Sequence, residues 1–288
     1  MASIEDWKSR GKYFEFRGHR IFFRREENDH RVLLCLHGFP TSSYDYHKIW
    51  PELSVHSSPV SFDLIGYGFS DKPRNFSYTT FDQADILESL ISELGIKHLD
   101  ILAHDYGNTI TQEILARSFE CDPGFEIGKI CFLNGALFPE THRPILAQKI
   151  LISPIGAIFG RLIPERKFRH SLASVFGPDT KPTEGELEDF VKLFNHNGGR
   201  RISHKLIRYM RERAQNRSRW VGALEKMTQP FRFINGLADP VSGAHLVTRF
   251  RVLFPNQTDI IELPGIGHFP HFEKPDVVAR HVRDFLTS

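Results

Sequence analysis

Cysteine is scarce in this sequence, and its three cysteines follow no spacing that binds a metal ion. Their number is odd, which argues against a complete set of disulfides. Cys35 and Cys131 lie inside apolar runs that resemble strands. We therefore predict buried thiols in a protein of a reducing compartment, with no metal and no cofactor.

Long apolar runs are also missing. The longest, around residues 150–159, is interrupted by Ser153, Pro154 and Gly156, and it is too short to span a bilayer. The first residues lack the basic and then apolar pattern of a signal peptide. We expect a cytoplasmic protein without stable membrane insertion.

A large excess of charge is absent as well. The formal net charge of +2 gives no reason to expect nucleic acid as a partner. The apolar content of 40% and the charged content of 25% are ordinary for a soluble globular protein. A chain of 288 residues suits one large α/β domain, or one domain carrying an insertion, and we expect a monomer or a homodimer.

Apolar runs of strand length alternate with helical segments along most of the chain. These runs are Val32–Leu36, Val60–Leu64, Leu99–Ala103, Ile130–Leu133, Phe231–Ile234 and Asp259–Leu263. Continuous apolar strands separated by helices predict an α/β fold, with a mostly parallel sheet covered by helices on both faces. The alternating segment 13–24, around Gly18 and His19, predicts an antiparallel hairpin at the sheet edge.

One helix between the second and third predicted strands has clear ends. Thr80 and Gln83 are spaced as a capping box at its start, and Gly95 is placed to end it. A second capping box, Thr183 and Glu186, opens another helix further along the chain.

The alternation fails between about residues 137 and 220, where helix formers, Pro and Arg prevail without a convincing strand. We predict a core in two parts, 1–136 and 221–288, with an inserted helical cap at 137–220. Ligands of open α/β sheets bind at the carboxyl ends of the strands, so a cap there would enclose the site.

The predicted cap contains a basic cluster. Its members are Arg200, Arg201, Lys205, Arg208, Arg211, Arg213, Arg217 and Arg219. Such a cluster could attract anions or a membrane surface, but a solvated helix face is the preferred interpretation.

A sharp strand-to-helix corner is the most informative feature of the sequence. The apolar run 99–103 is followed by a helical pattern that includes Ile110 and Ile114, and Asp105 stands at the corner between Ala103 and Gly107. In hydrolases this nucleophile elbow has the motif G-x-S-x-G, because small neighbours allow a tight turn that exposes the nucleophile. Asp105 is therefore a candidate nucleophile; alternatively it is an ordinary helix N-cap.

Three other motifs follow strands in the order that a catalytic triad of this kind requires. His268, in the small-residue loop 265–270, is the candidate base, and Asp239 is the candidate acid that orients it, or the start of an Asx turn before a proline. The backbone N–H groups of Phe39 and Tyr106 are the candidate oxyanion hole. His271 lies near the base in sequence and is expected at the surface.

The sequence resembles the aspartate-nucleophile branch of the α/β-hydrolase superfamily, which contains epoxide hydrolases and haloalkane dehalogenases. Within that branch it most resembles the mesoderm-specific transcript family. The segments that carry the resemblance are HGFPTSSYDYHKIW (37–50), FDLIGYGFSDKPR (62–74), HDYG (104–107), LNGALFPETHRP (133–144), VFGPDTKP (175–182) and RWVGAL (219–224). The resemblance implies the α/β-hydrolase fold with a helical cap.

The resemblance also implies a reaction in two steps. Asp105 would displace a leaving group from a saturated carbon, and a water activated by His268 would then hydrolyse the resulting ester. The substrate would be a small, apolar electrophile, with water as the second reactant. Haloalkane dehalogenases use a Trp directly after the nucleophile and an Asn or a second Trp elsewhere as halide donors, whereas Tyr106 and Phe39 stand at the expected places here.

Epoxide hydrolases use two cap tyrosines as acids, and Tyr209 matches one of them. Its role could equally be packing within the cap. His37, Trp50 and Trp220 are the candidate substrate-binding residues. Trp50 is expected near the site entrance or in the core, and Trp220 where the cap packs onto the core.

We therefore expect an epoxide hydrolase that gives diols. A haloalkane dehalogenase is the alternative within the enzymes. A binding protein without activity, built on a hydrolase scaffold, is the alternative of another class.

Overall fold

A computed structural model describes residues 3–288. Eight strands form one sheet. They are β1 (Lys12–Phe16), β2 (His19–Arg25), β3 (Val32–Leu36), β4 (Ser58–Phe62), β5 (His98–Ala103), β6 (Glu126–Phe132), β7 (Phe231–Gly236) and β8 (Ile260–Leu263). Their order across the sheet is β1-β2-β4-β3-β5-β6-β7-β8.

Most neighbouring strands are parallel, as predicted. The exceptions are β2, which pairs antiparallel with β1 and with β4. The hairpin β1–β2 lies at the sheet edge, and its turn contains Arg17 and Gly18, both with positive φ. The prediction of an edge hairpin around Gly18 is thus confirmed.

Fourteen α-helices of the described chain surround the sheet, together with 3₁₀ helices at Ser43–Lys48, Pro139–Thr141 and His196–Arg201. The first seven α-helices are α1 (Ile4–Ser9), α2 (Trp50–His56), α3 (Thr80–Glu93), α4 (Tyr106–Ser118), α5 (Leu146–Leu151), α6 (Gly156–Leu162) and α7 (Glu165–Ala173). The others are α8 (Glu184–Asn195), α9 (Ser203–Leu206), α10 (Tyr209–Gln215), α11 (Arg217–Lys226), α12 (Ala244–Leu253), α13 (Pro270–Glu273) and α14 (Pro275–Thr287).

Apolar side chains cover both faces of the sheet. One core cluster joins the strands to α3, α4 and α12, through residues such as Ile86, Ile110 and Phe250. A second joins them to α1, α2 and α14, through residues such as Trp7 and Val278. The burial of both faces explains why the central strands read as continuous apolar runs rather than alternating ones.

The capping predictions were right for one helix and displaced by one residue for the other. Thr183 caps α8, where its hydroxyl accepts the Glu186 N–H and the Glu186 carboxylate accepts the Thr183 N–H. Helix α3 is capped by Thr79 and Asp82, not by Thr80 and Gln83. The Gln83 side chain instead bonds the backbone of Ile65, because it lies on the buried face of the helix.

All the chain between β6 and β7 is helical or irregular, as predicted for 137–220. We call residues 139–226 the helical insertion. Its last helix, α11, runs across the predicted boundary at 220, and it packs against α4 through the bond from Trp220 to Glu113. The division into a core and a cap stays a prediction. None of the helices within residues 3–288 combines the length and apolar character needed to cross a membrane.

Candidate active site

The strand-to-helix corner has a strained backbone. β5 ends at Ala103, α4 begins at Tyr106, and Asp105 between them has φ 46° and ψ −103°. A Cβ added at Gly107 would lie 2.4 Å from the Leu36 carbonyl oxygen, so only glycine fits there. The Asp105 side chain makes no capping bond to α4. Asp105 thus occupies the N-cap position of α4, but its side chain does not cap the helix.

The Asp105 carboxylate is fixed by the loop after β3. Its Oδ2 accepts the backbone N–H of Phe39 at 3.0 Å. A Cβ at Gly38 would lie 2.6 Å from the Asp105 Cβ, which explains the glycine before Phe39. The Asp105 N–H donates to the Asn134 carbonyl oxygen at 2.7 Å.

A buried arginine from α10 faces the other carboxylate oxygen. The Arg213 Nη2 lies 3.5 Å from Asp105 Oδ1 and donates to the Asp105 carbonyl oxygen at 2.9 Å. Its Nε donates to the Thr109 hydroxyl at 2.6 Å. Burial opposes ionisation of Asp105, but the charges of Arg213 and His268 and the Phe39 N–H lower the pKa of this carboxyl below its ordinary value. Asp105 is thus a carboxylate at neutral pH.

His268 and Asp239 form a buried pair at the ends of β8 and β7. The His268 Nδ1 lies 2.7 Å from Asp239 Oδ2, which also accepts bonds from Ser242 Oγ (2.6 Å) and Asn134 Nδ2 (3.0 Å). The other oxygen of Asp239 accepts the Val241 N–H at 2.7 Å. Four donors therefore hold the carboxylate, and with it the orientation of the imidazole.

The pair has opposite pKa shifts. Burial favours the neutral form of both side chains, but the charge of His268 and the hydrogen bonds lower the pKa of Asp239 to about 2. The carboxylate of Asp239, assisted by the charge of Asp105, raises the pKa of His268 to about 9 in spite of burial. His268 is thus an imidazolium at neutral pH while Asp105 keeps its charge.

Further histidines lie behind His268. The His104 Nε2 donates to the His268 carbonyl oxygen at 2.8 Å, and the His104 ring packs against His271 at 4.7 Å between ring centroids. His271 is fully buried and stacks on Tyr46 at 4.9 Å, so the prediction that it lies at the surface is wrong. The short helix α13 turns its side chain inward after Pro270.

Among residues 3–288, one cluster of side chains could supply ligands to a metal ion, and it consists of Asp45, His104 and His271. Their ligand atoms lie within 4.8 Å of one another, and all three side chains are buried. The predicted absence of a metal stays a prediction. Burial, assisted by the charge of His268, lowers the pKa of His104 to about 3, so this ring is neutral.

Two buried tyrosines have no hydrogen-bond partner for their hydroxyls among residues 3–288. Tyr209, at the start of α10, stacks on Tyr106 at 4.5 Å and lies under the guanidinium of Arg213 at 4.6 Å. Tyr67 packs edge-on against Phe39 at 6.4 Å. Burial, together with the charge of Asp105, keeps the pKa of Tyr209 well above its ordinary value, so its hydroxyl keeps its proton.

The three candidate substrate-binding residues are buried and bonded within the fold, and Trp50 and Trp220 lie at expected places, in the core and at the contact of the helical insertion with α4. Trp50 is buried, donates to Glu26 at 2.9 Å and packs against Trp7, so it is a core residue. Trp220 donates to Glu113 at 2.8 Å and joins α11 to α4. Both ring nitrogens of His37 bond the backbone: Nδ1 lies 2.9 Å from the Gly38 oxygen, and Nε2 accepts the Leu64 N–H.

The interpretation of the basic cluster as a solvated helix face is also wrong in part. Arg213 is buried beside Asp105, and Arg219 forms ion pairs with Glu113 and Glu120. Arg217 pairs with Glu140. Arg213 and Arg219 join the helical insertion to the rest of the chain, because their partners lie outside it, whereas the pair of Arg217 and Glu140 lies within the insertion.

An apolar cavity leads from the helical insertion to the site. Its inner end is lined by Phe39, Val241, His268 and Phe269, and its walls include Leu151, Phe159 and Leu172. A small apolar molecule that occupied it would contact His268 directly.

The fold and the Asp105–His268–Asp239 arrangement define an α/β hydrolase. Residues 33–281 match the alpha/beta hydrolase family, to which the chain belongs. The mesoderm-specific transcript protein of Mus musculus is 40% identical over 99% of this chain and 88% of its own length. The protein named "Putative hydrolase LipZ" from Mycobacterium tuberculosis is 33% identical, over 99% of both chains. The chain is thus a hydrolase of the α/β-hydrolase superfamily.

A solved structure supports the fold. The haloalkane dehalogenase DbeA from Bradyrhizobium elkani USDA94 superposes with a TM-score of 0.80 at 24% identity, over 96% of this chain and 97% of that one. At this identity the likeness concerns the fold alone.

Sequence reasoning missed several residues of the site. Asn134, which bonds both Asp239 and the chain near Asp105, stands just after β6, and its position at a strand end was an available signal. No sequence signal indicated that Arg213 belongs to the site, because a cluster of arginines on helices is typical of an exposed surface. His142, whose ring nitrogens have no hydrogen-bond partner among residues 3–288 and which lies near Arg213, was also missed.

Proposed function

We propose that this protein is an epoxide hydrolase in which Asp105 is the nucleophile. The observation that carries the proposal is the strained backbone of Asp105 at the corner between β5 and α4. Its Oδ2 accepts the Phe39 N–H, and its Oδ1 faces Arg213. A carboxylate needs no base before it attacks, and it is suited to displacement at a saturated carbon.

In the first step Oδ1 of Asp105 forms a bond to an epoxide carbon, and the bond from that carbon to the ring oxygen breaks. The ring oxygen takes the proton of the Tyr209 hydroxyl and becomes an alcohol. Arg213, which lies over the Tyr209 ring, stabilises the phenolate, which then recovers a proton from water. The unpartnered hydroxyl of Tyr209 supports this role.

Ester formation removes the negative charge of Asp105. That charge contributes to the raised pKa of His268 and of Tyr209, so both pKa values fall once the ester has formed. The fall in the pKa of His268 favours release of the imidazole proton to water, so ester formation shifts His268 toward the neutral form that acts as a general base.

In the second step His268 removes a proton from water, and the hydroxide attacks Cγ of Asp105. The oxyanion forms at Oδ2, where the Phe39 and Tyr106 N–H groups stabilise it. Losing one such donor typically costs about 3 kcal/mol of barrier. On collapse the bond from Cγ to the substrate oxygen breaks, and that oxygen takes the proton held by His268 and leaves as part of the diol. The new carboxyl group then gives its proton to His268, which regenerates the Asp105 carboxylate and the imidazolium.

The test uses His268→Gln, which should form the ester but not hydrolyse it. After incubation with an aryl epoxide such as styrene oxide, intact-protein mass should increase by one epoxide, and peptide mapping should place it on Asp105. Asp105→Asn is the matched control and should gain no mass. If no epoxide and no haloalkane labels Asp105, the result would favour the hypothesis of a binding protein without activity.

The leaving group separates the two enzyme hypotheses. The wild type is given styrene oxide and, separately, 1-bromobutane, and diol formation is compared with bromide release. Trp50 and Trp220 are bonded to Glu26 and Glu113, so neither side chain is available as a halide donor. We expect diol formation; bromide release with no diol would instead indicate a haloalkane dehalogenase.

A further inference from the structure

The helices α5 and α6 expose an unusual share of the apolar surface. Leu146, Ile155, Ile158 and Leu162 are 72%, 61%, 63% and 73% exposed, and they make up half of the large exposed apolar side chains in residues 3–288. We call these four residues the apolar patch. Isolated apolar residues on a surface need no explanation, but a concentration within one pair of helices marks an interaction site.

The same stretch of chain is strongly basic. Residues 143–170 contain six Lys or Arg and one Glu, a net charge of +5, against +2 for the whole protein. The one carboxylate, Glu165, is paired with Arg169. Lys149, Arg161 and Arg166 are exposed, and none of them forms an ion pair within the described chain. The apolar patch therefore lies among unpaired positive charges.

The active-site cavity opens beside this patch. A second cavity at the surface, lined by Leu146, Ile150 and Arg166, shares Ile145, Phe159 and Ile163 with the cavity that ends at His268. The two cavities therefore adjoin, and we call them together the channel. Helix α6 lines this channel with Phe159 and contributes Ile158 and Leu162 to the outer surface.

We propose that the apolar patch and its basic surround dock on an anionic phospholipid surface, so that the channel opens toward the membrane. Exposed aliphatic side chains enter the boundary between headgroups and acyl chains, while lysines and arginines pair with anionic headgroups. An apolar substrate dissolved in the bilayer then enters the channel, whose walls are formed by α5, α6 and α7, and reaches His268 at its inner end.

A second copy of the chain fits this surface less well. A twofold contact would place the patch of one copy on that of the other, and with it a charge of +5 against +5. An anionic surface instead neutralises the charge, and this complementarity selects the lipid. Docking of this kind is peripheral, because the patch comes from two short helices of six and seven residues.

The test is sedimentation with vesicles of phosphatidylcholine alone and of phosphatidylcholine mixed with phosphatidylglycerol. We expect binding to the mixed vesicles, at least about tenfold weaker binding to the neutral ones, and loss of binding at high salt. Equal binding to both kinds of vesicle, or binding to neither, would overturn the proposal.

Two double variants separate the apolar and the charged contributions. Ile155→Ser with Ile158→Ser, and Lys149→Gln with Arg161→Gln, should each weaken binding to mixed vesicles by about tenfold or more. Val252→Ser and the pair Lys97→Gln with Lys226→Gln are matched controls, since they remove exposed apolar or basic side chains elsewhere. Equal effects of variants and controls would contradict the proposed surface.

The orientation on the membrane can be measured directly. In a Cys121→Ser background, a fluorophore on Ile158→Cys should be quenched by brominated lipid, whereas one on Val252→Cys should not; Cys35 and Cys131 are buried and unreactive. Analytical ultracentrifugation tests the rival occupant: a dimer abolished by Ile155→Ser with Ile158→Ser would overturn the membrane assignment. Turnover of a water-soluble epoxide should be unchanged in these variants, so this proposal and the epoxide hydrolase proposal fail separately.

Discussion

Arg213 lies with its Nη2 3.5 Å from the Oδ1 of Asp105 and 2.9 Å from the carbonyl oxygen of the same residue, and both side chains are almost fully buried. A carboxylate buried this deeply without a cation would keep its proton. The ion pair therefore keeps Asp105 ionised, while the Phe39 N–H donates to the other carboxylate oxygen, Oδ2.

We predict that Arg213→Gln shifts the acid limb of the rate profile for ester formation to higher pH, because the pKa of Asp105 rises when the cation is removed. Single-turnover rates measured across pH provide the check. Arg213→Lys should shift the limb less, since it keeps the charge. Arg208→Gln is the control, because Arg208 is exposed and directly precedes α10. It should leave the acid limb of the profile in place. An unchanged limb in Arg213→Gln would contradict the role of the pair.

A second prediction follows the oxygen atoms. In a single turnover in H₂¹⁸O, the first diol should contain only ordinary oxygen, because its new hydroxyl comes from Asp105. The label should appear in the Asp105 carboxylate, as measured by peptide mass spectrometry, and in diol only from later turnovers. Label in the first diol would show that water attacks the substrate carbon directly, and the ester mechanism would be wrong.

Tyr209→Phe should slow ester formation from an epoxide by about 10²-fold or more, because proton transfer to the leaving oxygen contributes this much. The reaction with 1-bromobutane, if the enzyme accepts it at all, should be unaffected, since bromide needs no proton. Rapid-quench kinetics would measure both. Tyr78→Phe is the matched control, since the Tyr78 hydroxyl is engaged by the Pro73 carbonyl away from Asp105. A small effect of Tyr209→Phe would assign this tyrosine to packing alone.

The His268–Asp239 pair should make stability depend on alkaline pH. The pKa of His268 is raised from 6.5 to about 9, so its contribution is complete below pH 6.5 and is lost as the pH rises through 9. We expect the free energy of unfolding to fall by up to about 3 kcal/mol across this range, as measured by urea denaturation. His268→Gln should remove most of this dependence, whereas the control His98→Gln, at an exposed histidine, should not. A wild type that is equally stable at both ends of the range would refute the shift.

Trp220→Phe tests whether Trp220 serves packing or substrate binding. The indole N–H donates to the buried carboxylate of Glu113, so its loss should destabilise the fold by about 1.5–3 kcal/mol. The KM for an epoxide should not change, because Trp220 joins α11 to α4. Urea denaturation and steady-state kinetics give the two numbers. A raised KM with unchanged stability would restore Trp220 to the substrate site.

The strands were predictable because their signals are local. Val32–Leu36 was placed correctly at both ends, and the other predicted strands overlap the observed ones with ends displaced by a few residues. The strand ends are less certain because pairing with neighbours, rather than local composition, decides where a strand stops. The capping box of α3 shows the same limit. Two threonines, Thr79 and Thr80, stand side by side, and the sequence does not tell which of them caps the helix.

The sequence by itself determined the α/β order of elements and the corner at Asp105, since a strand, a small residue and a helix in succession depend only on neighbours along the chain. Only the tertiary structure decided that Arg213 is buried, that His271 faces inward and that Glu26 and Glu113 are the partners of Trp50 and Trp220. Each of these depends on a partner distant in sequence, such as Thr109 for Arg213. The pattern of one segment contains no information about which carboxylate, hydroxyl or ring the fold brings to it.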